Sequence, residues 1–180
     1  LIKTIDAPRE VKNAVSNLKY NSLISVMLGL NTKKLNNLSW LYIPDKDTLP
    51  HRVSFPSNYS PYVVPHGKSS ILAEVTCTIG SETWRMRDGE VENRVVSDLH
   101  RHKIIDKRDI CFVKTRRTQY AYVISDLNYD NNMRTVKNYM ATIGIDPVGR
   151  FAEFKYLNMD ACIKRAIEFV KESITHMPLR

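Results

Sequence analysis

The apolar residues of this chain change period several times, and each change predicts an element. Asp6-Ala7-Pro8-Arg9-Glu10 places a capping residue, a proline and an acid where a helix begins. Val11, Val15 and Leu18 then recur on one side, so a short helix is predicted over residues 8–17. From Asn21 to Leu30 the apolar run is nearly continuous (Leu23, Ile24, Val26, Met27 and Leu28) and closes at Gly29, which predicts a buried strand. Residues 38–43, with Trp40 and Tyr42, predict a second strand that stops at Pro44-Asp45. After it come Pro50, Pro56, Pro61 and Pro65 together with Ser57, Asn58, Ser60 and Gly67, so no long regular element fits within residues 44–70. The same stretch holds Phe55, Tyr59 and Tyr62, too aromatic a set for a disordered linker, and His51 to Phe55 reads as a short strand. An ordered, functional loop is expected there.

Ser70 to Ile79 alternates, with Ile71, Ala73, Val75 and Cys77 against Leu72, Glu74, Thr76 and Thr78, and predicts a strand. Val91, Val95, Val96 and Leu99 carry helical spacing and predict a helix from Asp88 to His102. Two strands, 109–115 and 120–125, are expected on either side of a basic turn, Arg116-Arg117-Thr118. Met133, Val136, Met140 and Ile143 predict a helix over 131–143, with Gly144 as the residue that ends it. A last helix, from about 159 to 173, carries Met159, Ile163, Ala166, Ile167 and Val170 as an inward stripe, and a strand end is expected ahead of it. This order predicts an α+β fold, an antiparallel or mixed sheet with helices packed on it. Residues 1–145 are expected to form the sheet and its helices, and residues 146–180 a carboxy-terminal strand and helix of the same piece.

Composition changes this picture little. A chain of 180 residues suffices for one domain with a core, and 43% hydrophobic with 26% charged residues matches an ordinary soluble protein rather than a disordered one. The net charge of +8 permits an anionic partner without selecting nucleotide, nucleic acid or membrane surface. Cys77, Cys111 and Cys162 are odd in number and far apart, which fits neither a disulfide framework nor a CxxC metal site, so a cytoplasmic location is expected. No apolar stretch approaches the roughly 20 residues that a transmembrane segment needs. The chain starts at Leu1, without Met and in mid-pattern, which leads to the expectation of a fragment of a longer protein.

Candidate chemistry is sparse. The glycines form neither GxGxxG nor GxxxxGK[ST], so no Gly-rich dinucleotide loop or P-loop lies within this chain. There is no Gly-x-Ser-x-Gly elbow, and Cys162 falls inside a helical stripe, where it reads as a packing residue rather than a nucleophile. His100 and His102 do not face each other on a helix and lack further ligands, so no metal site is expected; they read as a solvated basic helix end. Lys114, Arg116 and Arg117, followed by Tyr120 and Tyr122, read either as a polar hairpin tip or as an arginine contact to an anionic ligand lined by tyrosines. No RNP, KH or helix-turn-helix pattern accompanies them, so no nucleic-acid partner is expected. Asn158 and Asp160 either cap the last helix or, with Gly149-Arg150 just before, bring a cation and a helix start to one anion.

These last residues carry a resemblance. Gly149-Arg150-Phe151, then Tyr156-Leu157-Asn158-Met159-Asp160 leading into a helix, resembles the carboxy-terminal flavin-contacting segment of the FAD-dependent amine oxidase, protoporphyrinogen oxidase and UDP-galactopyranose mutase superfamily. The run from His51 through Pro61, with Pro65-His66-Gly67-Lys68-Ser69-Ser70 and Ala73-Glu74, is similar to a microbial branch of protoporphyrinogen-oxidase-like flavoproteins. The resemblance spans roughly residues 8–175. It implies the substrate-domain and carboxy-terminal part of a FAD-dependent oxidoreductase that acts on a small-molecule substrate, with FAD accepting hydride from an amine or C–H donor.

Position by position, the resemblance implies Gly149 and Arg150 at the phosphate or ribityl region of the cofactor. It puts Met159, Asp160 and the N–H groups of Ala161 and Cys162 along the flavin, with Tyr156 and Asn158 near the isoalloxazine as the catalytic candidates. Tyr59 and Tyr62 join Tyr156 as pocket walls, and Arg116 and Arg117 are the candidates for an anionic group of the substrate. The superfamily's Gly-rich nucleotide-binding half is not in this chain, so a missing N-terminal dinucleotide-binding half is the implied partner. This piece alone is expected neither to retain FAD nor to be active. Mutases commonly carry Asp where this chain has Asn158; a UDP-galactopyranose mutase-related enzyme is the alternative within the superfamily. Outside it, the alternative is a non-catalytic basic module that binds polyanions in a salt-sensitive manner.

Overall fold

The apolar run that starts at Leu23 folds as β1 (Lys19–Leu30) in the computed structural model, which describes residues 5–33 and 35–176. Its burial alternates: Ile24, Val26, Leu28 and Leu30 are 0% exposed, while Ser25, Met27 and Gly29 between them are half-buried. One face of the strand therefore seals the core, and the apolar Met27 on the other face is what made the run look continuous. In chain order the elements are α1 (Arg9–Asn17), β1, β2 (Trp40–Tyr42), β3 (Arg52–Ser54), α2 (Pro56–Tyr59), β4 (Ser69–Cys77), α3 (Glu82–Arg85), α4 (Asp88–Arg101), β5 (Ile110–Ile124), α5 (Tyr129–Thr142) and α6 (Met159–His176). Contacts group them into two units, Asn21–Ala121 and, separately, Leu1–Tyr20 with Tyr122–Arg180.

The Asn21–Ala121 unit is built on a sheet of order β2-β3-β4-β1-β5. β1 pairs antiparallel with β4, which sets Ile24 opposite Val75, Val26 opposite Ala73 and Leu28 opposite Ile71. β3 pairs antiparallel with β4 and β2 with β3, which adds Val53 and Leu41 to the same face. The Asn31 N–H donates to Asp109 O (2.7 Å) and the Ser22 hydroxyl to Gln119 O (2.7 Å), so β5 runs antiparallel along the other side of β1. Val91, Val95 and Leu99 of α4, all 0% exposed, close this face with Phe55 and Val53. The fold class is the α+β arrangement expected, with an antiparallel sheet.

The basic turn expected at Arg116-Arg117-Thr118 does not form, because β5 runs straight through it. Residues 110–124 contain no Gly, Pro, Asn or Asp, the residues that make a tight turn inexpensive, and are rich in Thr, Tyr, Val and Ile. Two side chains also anchor the strand to α4: the Thr115 hydroxyl donates to Glu92 (2.8 Å), and Arg117 bonds to Asp88 and to Met86 O.

The proline-rich stretch is ordered, as expected, and it is ordered from within. Phe55 is 1% exposed in the core, the Leu49 N–H donates to Asp98 Oδ2 (2.8 Å), and Arg101 donates to Asp47 O (3.0 Å). His102 is part of the same tie, with Nε2 2.6 Å from the Thr48 hydroxyl and 3.5 Å from Asp45. It is therefore a fastening for the loop rather than a solvated helix end.

In the other unit, α1 packs on α5 through Ala7, Val11, Ala14, Val136 and Met140, and the Tyr139 hydroxyl donates to Asp6 O (3.1 Å). Gly144, at φ +68°, ends α5 as expected. Two expectations fail here. The strand expected ahead of α6 is a series of turns, and the stripe expected to point inward on α6 is exposed: Met159 85%, Ile163 62%, Ile167 50% and Val170 52%. The side of α6 turned toward its own chain carries Ala161, Cys162 and Phe169, all half-buried, and Arg165, which is held by Glu153. Among the described residues, no helix is long and apolar enough to cross a membrane.

Candidate functional site

The segment from Gly149 to the start of α6 is shaped by its own backbone. Gly149 sits at φ +93°, a conformation in which a Cβ is strained, and Phe154 takes the left-handed region at φ +50°. Between them the chain closes on itself: the Glu153 N–H donates to Gly149 O (2.8 Å) and the Lys155 N–H to Arg150 O (2.9 Å). The Tyr129 hydroxyl holds Phe154 O at 2.5 Å, and the two rings stack at 6.4 Å. Glu153, 3% exposed, is the internal anchor; its carboxylate accepts from the Gly149 N–H (3.1 Å) and from Arg165 Nε (3.1 Å) and Nη2 (3.3 Å). Burial pushes this carboxyl up, but the Arg165 guanidinium, the Gly149 N–H and the charge of Lys155 outweigh it and hold it below its ordinary value.

This frame presents Arg150 to a cluster of rings. The guanidinium carbon lies 4.6 Å from the centre of Tyr156, 5.1 Å from Tyr122 and 5.7 Å from Phe151. Tyr122 and Tyr156 stack on each other, 5.8 Å apart with 20° between their planes. Arg150 Nη1 also donates to Leu157 O (3.0 Å), so the cation is fixed from both sides. Immediately after it, the Cys162 N–H donates to Asn158 O (3.0 Å) as the first turn of α6 closes, which makes Asn158 the residue at the helix mouth. The N–H groups of Met159, Asp160 and Ala161 precede that bond and have no intrahelical acceptor. The N–H of Cys162 is already committed to Asn158, so Cys162 contributes its side chain to this site and not its backbone donor.

A groove of about 770 Å³ runs along these residues, lined by Arg150, Leu157, Asn158, Met159, Asp160, Cys162 and Ile163. A guanidinium, a helix start and an apolar wall in one groove suit a ligand that carries both an anionic or hydroxylated part and a flat apolar part. The polyol, phosphate and ring of a flavin nucleotide fit that description. Seven of the expected site residues, Gly149, Arg150, Tyr156, Asn158, Met159, Asp160 and Cys162, thus gather on one turn and one helix start, with Ala161 between them. Sequence reading missed Glu153 and Arg165, which set the frame; a lone Glu between Ala and Phe carries no motif. It noted Tyr122 only as a neighbour of Arg116 and Arg117.

The other expected residues belong to the sheet unit. Tyr59 ends α2, 55% exposed, and its hydroxyl donates to Ser39 O (2.7 Å); Tyr62, 94% exposed, lies in a one-turn 3-10 helix, Pro61–Val63. Arg116 and Arg117 are successive residues of β5 and point to opposite faces. Arg117 is taken up by α4, so the exposed Arg116 lies on the far face of the sheet. That face also carries Trp40 and Tyr42, both exposed, and the Arg52–Glu74 pair, in which Arg52 Nη2 reaches Glu74 Oε1 at 2.8 Å beneath the Tyr42 ring. The period-two alternation of residues 40–42 and 52–54 was the signal for this face. Among the described residues, no group of three or more His, Cys, Asp or Glu is placed to hold a metal ion.

No protein-family model matches the sequence, and no curated protein does. Solved structures match the fold. A reduced UDP-galactopyranose mutase superimposes with a TM-score of 0.82 at 19% identity, over 93% of this chain and 37% of that one. A protoporphyrinogen oxidase from Exiguobacterium sp. 255-15 gives 0.69 at 12% identity, over 92% of this chain and 37% of that one. A putrescine oxidase redesigned in its cofactor binding gives 0.62 at 12% identity, over 94% and 38%. The chain has the fold of one segment of these enzymes. At such identities the likeness is one of fold, and the matched part amounts to little more than a third of each of those chains.

Proposed function

We propose that the chain is the substrate-domain and carboxy-terminal part of a FAD-dependent oxidoreductase, and that the groove between Arg150 and the start of α6 is its edge of the flavin site. The observation that carries this reading is the convergence of Arg150, stacked on Tyr156, with the start of α6 (Asn158, Met159 and Asp160) along one groove. FAD, when bound, supplies the hydride acceptor. The chain's own residues bind and orient it. Arg150 neutralises phosphate or donates to the ribityl chain. The N–H groups of Met159, Asp160 and Ala161 donate to its polar atoms, and the Asp160 carboxylate accepts from a hydroxyl. Gly149 keeps the turn that aims Arg150. Tyr156 and Asn158 would position the substrate at the reacting ring, and Tyr59 and Tyr62 are the candidate substrate contacts of the sheet unit.

The exposed stripe of α6 fits the same reading, since a dinucleotide-binding part outside this chain would cover Met159, Ile163, Ile167 and Val170. Full-length protein should purify with flavin absorbance and release flavin on denaturation. Arg150→Ala, with circular dichroism unchanged, should lose most of that flavin. A folded full-length preparation that takes up no FAD overturns the proposal.

The mutase gives a higher TM-score than either oxidase, which favours a UDP-sugar mutase relative as the second reading. On that reading Arg116, on the open face of β5, holds the pyrophosphate. UDP should then bind the full-length protein and be lost on Arg116→Ala; equal binding by both proteins removes Arg116 from this role.

A further inference from the structure

Two backbone outliers in the candidate site are held by side chains that do not line the groove. Gly149 stands at φ +93° and Phe154 at φ +50°, a left-handed conformation that Gly or Asn takes readily and Phe does not. Residues in such conformations persist where their surroundings over-determine them, and they cluster at functional sites. Here the surroundings are two clamps, one at each end of the turn that carries Arg150.

At the Gly149 end the clamp is Glu153. Its carboxylate is 3% exposed and takes three donors: the Gly149 N–H at 3.1 Å, and Arg165 Nε and Nη2 at 3.1 and 3.3 Å. Gly149 immediately precedes Arg150, and Arg165 belongs to α6, so one carboxylate ties the turn to the helix whose start lines the groove. Glu168 steadies Arg165 in turn, with Oε2 3.6 Å from Nη1. At the Phe154 end the clamp is Tyr129 of α5, whose hydroxyl donates to Phe154 O at 2.5 Å while the two rings stack at 6.4 Å. Glu153, Arg165 and Tyr129 are all outside the groove lining. A buried ion pair is a poor source of net stability, since an apolar pair of the same volume often does as well; what it adds is a fixed geometry.

We propose that Glu153 is a positioning residue for the cofactor. It acts through Arg150, by holding the turn from Gly149 to Phe154 in its left-handed form, with Tyr129 as the second support. This role rests on the reading of the groove as the flavin edge. When the turn is released, the guanidinium swings off the Tyr122–Tyr156 stack and off Leu157 O, and the cation is no longer fixed where the groove needs it. A Gln at position 153 has one acceptor oxygen instead of two, so it cannot serve the Gly149 N–H and the Arg165 fork together.

The test titrates FAD into full-length protein stripped of flavin, followed by flavin fluorescence, with visible circular dichroism of the saturated flavin as the report on its pose. Glu153→Gln should raise the Kd for FAD about tenfold and alter the dichroism at saturation, and Tyr129→Phe, which keeps the ring stack, should raise it about threefold. In an Arg150→Ala background the same two substitutions should change the Kd by less than about twofold, because the residue they aim is gone. A role confined to folding would lower the unfolding temperature but leave the saturated spectrum that of the wild type. Every titration is run below the variant's unfolding temperature, and Tyr129→Phe carries the test if Glu153→Gln does not fold. Wild-type protein that binds no FAD overturns the flavin reading and this role with it. FAD binding by the wild type with equal affinity in both variants, with the wild-type spectrum in both, or with the same losses in the Arg150→Ala background overturns the positioning role alone.

Discussion

α4 and α6 are both amphipathic helices with aliphatic residues at helical spacing, yet they end in opposite situations. In α4, Val91, Val95 and Leu99 are all 0% exposed against the alternating faces of β1, β3 and β4. In α6, Ile163, Ile167 and Val170 are each at least half exposed, and the helix holds to its own chain through Cys162, Phe169 and the Arg165–Glu153 pair. Burying an aliphatic side chain contributes about 1.5–3 kcal/mol, a gain that the α6 stripe does not draw from the described residues. Helical periodicity announces that a face will meet apolar matter. It does not say whether the same chain supplies it.

The sharpest way to break this comparison is to cut back each stripe. Leu99→Ala should cost about 2–5 kcal/mol in urea unfolding, as a buried leucine does, whereas Ile167→Ala should change the stability of this chain by no more than about 0.5 kcal/mol. Similar losses in both would mean that α6 is already covered.

A smaller effect distinguishes the two faces of β5. Arg117→Ala removes the ties to Asp88 and Met86 O at the start of α4 and should cost about 1–3 kcal/mol. Arg116→Ala on the other face should stay within about 0.5 kcal/mol. Equal costs would contradict the placement of these arginines.

The smallest effect concerns acid. Because Glu153 is held below its ordinary value of 4.5, its contribution is complete above that pH and disappears as pH falls through the lowered value. The protection factors of α6 amides, that is exchange relative to the intrinsic rate at each pH, should therefore fall on acidification below pH 4.5 in the wild type, and Glu153→Gln should remove that fall. A pH response identical in the two proteins would show that the Glu153–Arg165 pair does not hold the helix.

Much of the fold was legible because it rests on local pattern. The alternation of Ile71 to Cys77 became β4, the spacing of Val91 to Leu99 became α4, and Gly144 ended α5 with the positive φ expected of it. The misread places were those where a distant partner decides. Arg116-Arg117 looked like a turn because charge clusters favour surfaces, but pairing along β1 and the grip of Asp88 and Glu92 kept the strand extended. His102 looked solvated because nothing nearby in sequence announces Thr48 and Asp45, some fifty residues back.

The candidate site divides in the same way. Sequence alone determined its chemistry: an arginine after a glycine, a tyrosine, and an Asn-x-Asp at a helix start, because those requirements are met within twelve residues of chain. Tertiary structure decided the geometry. Only the folded chain brings Tyr122 from the end of β5 onto Tyr156 and Arg150, and only there does Glu153 find Arg165. It also decided that Arg117 belongs to α4 while Arg116 stays open, and that the α6 stripe faces outward. The physical reason is common to all of these. A residue's conformational and chemical preferences are local and can be read in order, whereas burial, ion pairing and ring stacking depend on what the chain returns to that point from far away.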